Sequence, residues 1–449
     1  MTAFTDYDET IEWLYNLHLF GIKFGLKKVE KLLEYLDNPQ DKLKIIHVGG
    51  TNGKGSVCAM LSSILTGAGY EVGLNTSPHL SEFTERITIN GQQISKTSVI
   101  EYANLMQEVR ERVNAETDLG YATYFEVVTA MALKYFADND VDYVVLEVGL
   151  GGTFDATNIV KPLITVLTNI ALDHTEHLGT TLTSVAENKA GIIKQKIPVI
   201  TSNNNQEVLD VIVHTCKQQQ CELIRIGKDV EYTIIKSGQK GLRMDYHGLN
   251  NNYSDLQVPL LGQHQGDNAA LAITTIELLK NQYNMNIPEQ AIREGLKSTH
   301  WPGRLEIMQE SPLVLLDGAH NPAGAQALKE ALALFDYEKL YLVFGCSEEK
   351  DIKDLLEPLL PLANKMIITQ SGVRRAAKPK LILKNIPKYD IEKVVITPVK
   401  AAVKTALSEA GEKDLICICG SLFVVGEARE LLSMGEEMDT GDKVHRIHY

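Results

Sequence analysis

Short, almost continuous apolar runs alternate along this chain with longer segments of helical periodicity. KIIHVGG (44–50), VDYVVLEVGLGG (141–152), LITVLTNI (163–170), IPVI (197–200), LVLLDGAH (313–320), KLYLVFG (339–345), KMIIT (365–369) and DLICICG (414–420) each read as a strand. Runs of Val, Ile and Leu without polar alternation are apolar on both faces, as in parallel strands covered by helices on both sides. The pattern therefore predicts an α/β fold. Ligands of such sheets lie beyond the carboxyl ends of the strands, so chemistry is expected just after these runs. SVCAMLSSILTGAGY (56–70) predicts a helix after the first strand. NKAGIIK (188–194) predicts the opening of a short helix, and the polar GQHQGDN (262–268) leads into another from Ala269.

Pro302-Gly303, in STHWPGRLE (298–306), breaks the pattern, and a new strand–helix series follows. Two domains are expected, since a single core stops growing beyond ~250–300 residues. The first is a large P-loop-type domain with a mostly parallel sheet over 1–298, and the second a smaller doubly wound domain over 299–435. Residues 436–449 lack periodicity and read as a tail.

Composition and charge narrow the function classes. With 44% hydrophobic and 23% charged residues the chain is ordinary globular protein, not a disordered or fibrous one. A net charge of −14, from 44 Lys+Arg against 58 Asp+Glu, argues against general nucleic-acid binding, which needs a basic face. It leaves room for a small anion in a local basic pocket. Arg374, Arg375, Lys378, Lys380 and Lys384 form the most basic stretch, either a solvated face or such a pocket. The chain has no apolar run of membrane-spanning length, and its N-terminus is acidic where a signal peptide would be basic. The six cysteines show no CxxC pair, and Cys417 and Cys419 alternate with Ile416 and Ile418 as in a buried strand. A reduced, cytoplasmic protein is expected, with no membrane and no nucleic acid among its partners.

The sharpest chemical signal is GGTNGKGS (49–56), between a predicted strand and a predicted helix. Its glycines let backbone amides approach an anion, the helix N-terminus adds partial positive charge, and Lys54 adds a full one. Ser56 can place a hydroxyl on Mg²⁺. Relative to GxxxxGK[ST], Val48 stands where the first glycine would be, and Gly55 separates Lys54 from Ser56. Glu147 closes the second buried run. It either faces this loop and binds Mg²⁺ or turns to solvent. Asp173 and His174 follow a third strand as a candidate metal or base position, or as a structural pair. Lys189 sits in apolar surroundings, where a lysine either snorkels outward or needs a partner. Asp317 and His320 follow the LVLL run, and Arg304 lies at the predicted boundary.

Several longer motifs then occur in order: HVGGTNGKGS (47–56), TSPHLSEFTERITING (76–91), TYFE (123–126), LEVGLGGTFDATNIV (146–160), ALDHTEHLG (171–179), NKAGIIKQKIPVI (188–200), WPGRLE (301–306), DGAHNP (317–322) and GSL (420–422). Together, over about residues 5–430, they resemble the folylpolyglutamate synthase / dihydrofolate synthase family of Mur-type ATP-dependent amide ligases. The resemblance implies an enzyme that adds L-glutamate to folate, and also to dihydropteroate, through an acyl phosphate. It implies that Thr51, Asn52, Gly53, Lys54, Gly55 and Ser56 hold the phosphates of ATP. Asn268 would meet the adenine, Asp317 the ribose, and Arg304 and His320 the phosphate side. Ser56 and Glu147 would bind one Mg²⁺, and Glu147, His174 and Ser77 a second, with a monovalent cation as a further candidate. Lys189 aligns with a lysine that is carbamylated in the family, so that Lys54, Lys189 and His320 form the implied catalytic set. Thr123 and Phe125 match a segment lining a pteridine site. A monomer is implied. Asn188 and Phe423 stand where Glu and Tyr are common in the family.

Two rival readings differ in testable ways. A Mur-type ligase acting on a nucleotide-sugar peptide carries a further domain before the phosphate loop, whereas 48 residues precede Gly49 here. A P-loop ATPase used as a switch would hydrolyse ATP without regard to glutamate or folate, and gives the WPGRLE and DGAHNP motifs nothing to do. A purely structural or interaction protein gives no reason for polar residues to recur at the strand ends.

Overall fold

The computed structural model describes residues 3–17, 25–386, 388–434 and 445–448. It forms two compact units. The first comprises 1–233, 245–256 and 266–299, and the second 234–244, 257–265 and 300–449. The break at 299/300 falls beside Pro302-Gly303. Two further segments, 234–244 and 257–265, belong to the second unit although they precede that break, a division the chain pattern does not reveal. A three-stranded meander, β9 (Glu231–Gly238), β10 (Gly241–His247) and β11 (Asn252–Val258), is divided between the units: 234–244 holds the end of β9 and the start of β10, and 257–265 runs from the end of β11 to the start of the next helix.

The first unit holds an eight-stranded sheet. Its strands are β1 (Ile45–Gly49), β2 (Val72–Asn75), β3 (Ile87–Ile89), β4 (Gln92–Gln93), β5 (Tyr143–Glu147), β6 (Ile164–Leu167), β7 (Val199–Thr201) and β8 (Leu223–Arg225). They lie in the order β4-β3-β2-β5-β1-β6-β7-β8. The six strands from β2 through β8 run parallel, and β3 and β4 add an antiparallel edge. Every residue of β1, β2, β5, β6 and β7 is buried, as the non-alternating apolar runs require. The connection leaving β1 reaches β2 on one side, and that leaving β5 reaches β6 on the other. The connections therefore diverge at the carboxyl ends of β1 and β5, where a parallel sheet opens its ligand crevice.

The second unit holds a seven-stranded sheet of β12 (Glu306–Glu310), β13 (Leu313–Leu316), β14 (Leu340–Phe344), β15 (Lys365–Ile368), β16 (Glu392–Thr397), β17 (Leu415–Cys419) and β18 (His445–His448). The order is β12-β13-β17-β14-β15-β16-β18, parallel inside and antiparallel at both edges. Cys417 and Cys419 are fully buried in β17, as their alternation predicts. The expected tail differs: residues 445–448 pair with β16, while 436–444 and 449 lie outside the described residues. A four-residue edge strand gives too short a pattern to be seen in a polar sequence.

Two helix expectations also shift. The helix containing Lys189 spans Leu182–Ala190, so this lysine lies in its last turn and not at its opening. A Thr181 side-chain bond to the Ser184 amide caps that helix, and Gly191 follows its end. The helix expected from Ala269 begins earlier and spans Gln265–Tyr283, which puts Asn268 in its first turn.

Candidate active site

The phosphate loop in the first unit is shaped by its contacts with the segment after β6. Thr168 N–H donates to Gly49 O at 2.8 Å, and Thr51 N–H donates to Asn169 O at 2.7 Å. The Thr51 hydroxyl donates to Ala171 O and accepts from Ala171 N–H, both at 3.0 Å. Asn203, after β7, anchors that segment in turn, accepting from Ile170 N–H at 2.8 Å and donating to Thr168 O at 2.8 Å. Two glycines are sterically required. Gly50 has φ +135°, and a Cβ there would lie 1.9 Å from Thr168 Oγ1. Gly53 has φ +90°, and its Cβ would lie 2.4 Å from Asn268 Oδ1. The buried Asn268 side chain thus lies directly over the loop that the sequence nominated for phosphates.

The Lys54–Gly67 helix starts at Gly53 with no side-chain cap. Its first amides and its dipole are left for an anion. Lys54 Nζ lies 3.2 Å from the carbonyl oxygens of Gly50 and Thr51. Buried Lys189 Nζ donates to the same Gly50 oxygen at 2.7 Å. Burial, with the Lys54 charge, lowers the Lys189 amine to about 7, and Asp173 and Asp155 oppose that shift. The sequence left open whether Lys189 snorkels; the structure turns it inward. Ser56 is buried in the first helical turn.

The acid of the site comes from β5. Glu147 is buried at the strand end, and Ser77 N–H donates to its Oε2 at 2.9 Å. Ser77 begins the loop after β2 and is joined to Pro78 by a cis peptide bond. Glu85 organises that loop by accepting from the amides of Leu80, Ser81 and Glu82. The ring of Phe125 lies over Gly149, where a Cβ would come within 2.2 Å of it. Phe125 is therefore beside the Glu147 turn. Thr123 is the N-cap of the Tyr124–Asp138 helix, and its hydroxyl donates to Glu126 Oε2 at 2.8 Å. His174 occupies a left-handed backbone position, φ 48°, and its N–H donates to Asp173 Oδ1 at 2.8 Å. Asn203 is a loop-anchoring position that spacing alone does not single out; its signal is placement just after a buried strand.

No set of three or more His, Cys, Asp or Glu side chains suited to a metal exists among the described residues. Mg²⁺ does not need one, because it takes one or two carboxylates and completes its shell with phosphate oxygens and water. A buried carboxylate oriented by the Ser77 amide and paired in register with Val48, at the entry to the phosphate loop, fits that donor set.

The second unit groups three predicted residues around β13. Asp317 is buried and accepts from Leu305 N–H at 3.0 Å and Ala319 N–H at 2.9 Å. Burial raises its carboxyl above the ordinary range, and the Arg304 charge and these amides oppose the rise. Arg304 crosses the strand end so closely that a Cβ at Gly318 would lie 2.3 Å from its Nη1. His320 Nδ1 lies 2.8 Å from Gly318 O, so that nitrogen carries the proton and donates. The basic stretch contributes one stacking contact, Arg375 over the Phe423 ring at 5.0 Å.

A parallel-sheet phosphate loop with a buried acid and lysine, in a chain with a second α/β unit, fits a nucleotide-dependent enzyme. Residues 48–276 match the Mur ligase middle domain, and 303–422 the Mur ligase, glutamate ligase domain. The dihydrofolate synthase/folylpolyglutamate synthase of Bacillus subtilis is 35% identical over 437 residues, covering 96% of this chain and all of that one. The crystal structure of folylpolyglutamate synthase from Thermotoga maritima has a TM-score of 0.82 and 36% identity, covering 96% of this chain and 97% of that one. E. coli FolC in complex with DHPP and ADP has a TM-score of 0.83 and 31% identity, covering 95% and 98%. The chain belongs to the folylpolyglutamate synthase / dihydrofolate synthase family, and it is an ATP-dependent carbon–nitrogen ligase.

Proposed function

We propose that the first unit activates the carboxylate of a folate or of dihydropteroate as an acyl phosphate, and that L-glutamate is then joined to it. The observation that carries this reading is the convergence of Lys54 and Lys189 on Gly50 O beside an uncapped helix start. A carboxylate is a poor electrophile. Transfer of the γ-phosphoryl group to it creates a leaving group, the amine of glutamate attacks, and phosphate departs. The work left to the protein is positioning and charge cancellation.

Lys54 and the first amides of its helix take the phosphoryl oxygens. Asn268 packs the nucleotide side of the loop. Glu147, with Ser56, Ser77 and His174, would hold Mg²⁺, which supplies neutralisation of phosphate charge. Lys189, lowered to about 7, is largely the free amine at slightly alkaline pH. In that form it adds to CO₂, releasing a proton and leaving a carbamate that can orient the metal side. Phe125, over Gly149, offers an apolar face to a flat heteroaromatic ring. Asp317, Arg304 and His320 are the nucleotide-facing residues of the second unit, and a monomer is the working state. E. coli FolC is described with DHPP and ADP, which supports dihydropteroate as a second acceptor.

The test is phosphate release from Mg-ATP with L-glutamate and either 7,8-dihydropteroate or a reduced folate, with product masses. Gain of one glutamyl unit on both acceptors is expected. Gain on folate alone would remove the dihydropteroate activity. Hydrolysis indifferent to glutamate and acceptor would overturn the ligase reading.

A further inference from the structure

Behind the Glu147 turn lies a buried chain of polar groups to which none of the roles above is assigned. His47 stands in the middle of β1, wholly buried, and burial lowers its imidazole to about 3. Its Nε2 is 2.9 Å from Thr157 Oγ1. Thr157 Oγ1 is in turn 2.5 Å from Asp155 Oδ1. A carboxylate only accepts, so the threonine hydroxyl spends its single proton on Asp155 and must receive the bond from His47. The imidazole therefore carries its proton on Nε2. Nδ1 is left bare, and it is buried without a partner. An unsatisfied buried acceptor costs stability that leucine would avoid, so the bond on the other nitrogen is what the imidazole contributes.

The far end of the chain holds the active-site turn. Asp155 Oδ2 accepts from Leu150 N–H at 2.8 Å, three residues beyond Glu147, while Oδ1 also accepts from Thr157 N–H at 3.0 Å. The same turn rests on the end of the lysine helix. Thr153 N–H donates to Asn188 O at 2.9 Å, and a Cβ at Gly152 would lie 2.8 Å from Lys189 O. His47 is also the residue two before Gly49, and it pairs with Leu146 across the β1/β5 ladder. One hydrogen-bonded chain thus links the strand that enters the phosphate loop, the turn that carries the acid, and the helix end that carries the lysine.

We propose that His47 and Thr157 are positioning residues: through Asp155 they fix the turn that sets Glu147 and the Lys189 helix against the phosphate loop. The inference rests on the ligation reading for its kinetic readout only. It is tested in the full chain by comparing Thr157→Val with Thr157→Ser, and His47→Leu with His47→Gln. Valine keeps the shape and removes the hydroxyl; serine and glutamine keep the donor and acceptor. Thr157→Val is expected to lower kcat and weaken Mg²⁺ dependence by about 10–100-fold, the usual range when a group supporting a metal ligand is lost. KM for L-glutamate should stay unchanged, and Thr157→Ser should behave as wild type. In the ligand-free protein, amide hydrogen exchange at Leu150 should accelerate in Thr157→Val and His47→Leu but not in the two conservative variants.

Wild-type Leu150 exchange in Thr157→Val would overturn the proposal, as would equal impairment of the Val and Ser variants. Should Thr157→Val fail to fold, the His47 pair decides by the same criteria. Should wild-type protein bind Mg-ATP but not ligate, the ligation reading falls. The exchange data, with Mg²⁺-dependent ATP binding measured by calorimetry, still decide the relay.

Discussion

The phosphate loop of the first unit and the 303–320 segment of the second both lie at the carboxyl ends of parallel strands, yet they are held by different means. In the first, the backbone is the binding surface. Glycines are forced by φ values of +135° and +90°, and two lysines point at a main-chain carbonyl. In the second, a buried side chain organises the backbone: Asp317 gathers the amides of Leu305 and Ala319 and faces Arg304. The lesson is that the first region tolerates almost no added atom, and its shape is shared among several side chains, Thr51, Thr168 and Asn203 among them. The second depends on one carboxylate and gives way sterically.

Replacing Lys54 by Ala should break the comparison most. It removes charge cancellation and two hydrogen bonds to the loop carbonyls of Gly50 and Thr51, so ligation should fall about 10³-fold while the protein still folds. A folded Lys54→Ala protein with near-normal glutamate-dependent phosphate release would mean that the loop does not carry the chemistry. Glu147→Gln comes next, with an expected loss of about 10–100-fold, read as a shifted Mg²⁺ titration of turnover. Loss without any shift in the titration would assign Glu147 to the fold and not to the metal.

A matched glycine pair sharpens the steric contrast. Gly50→Ala meets Thr168 at 1.9 Å in a left-handed conformation and should cost about 1–3 kcal/mol of stability in urea unfolding. Gly318→Ala meets the ends of two side chains, Arg304 Nη1 at 2.3 Å and Leu422 Cδ2 at 2.4 Å, both of which can shift, and its cost should stay below that of Gly50→Ala. Equal losses would show that both regions are packed with the same rigidity.

The remaining contrast is with pH. His47 and His79 in the first unit are lowered to about 3, and His264 in the second to about 4, each chiefly by burial. Between those values and 6.5 the unfolded chain binds protons that the folded chain does not, so stability is lost as pH falls. Each histidine contributes at most ~1.4 kcal/mol per pH unit. His47→Gln should flatten the slope of unfolding free energy between pH 6.5 and 3 by one histidine's share. An unchanged slope would mean that His47 is not held neutral.

Much of the fold was legible because burial on both faces leaves runs that cannot be mistaken for amphipathic helix. All eight predicted strands occur, and β1, β5, β6 and β13 carry site residues at their ends. Strands such as β3 and β4, three and two residues long, give no usable period, and β10, where buried Leu242, Met244 and Tyr246 alternate with Arg243, Asp245 and His247, falls outside a reading built on unbroken apolar runs. The Lys189 helix was placed too late because its first turns, LTSVAEN, carry few apolar residues. Within the candidate site, Gly53, Lys54 and Ser56 were legible as a local motif. Thr168, Asn203, Asp155 and His47 were not, because they act on that motif through bonds between residues far apart in sequence.

The sequence by itself determined the α/β alternation, the glycine-rich loop with its lysine, and the strand-end acids, all of which depend on residues within a few positions of one another. Only the tertiary structure decided that Lys189 turns inward to Gly50 O, that Asn268 covers Gly53, and that Ser77 N–H orients Glu147. The same is true of the assignment of 234–244 and 257–265 to the second unit. Each joins groups from 70 to more than 200 positions apart, and pairings at that range follow from how the strands are ordered in the sheet and not from any local pattern.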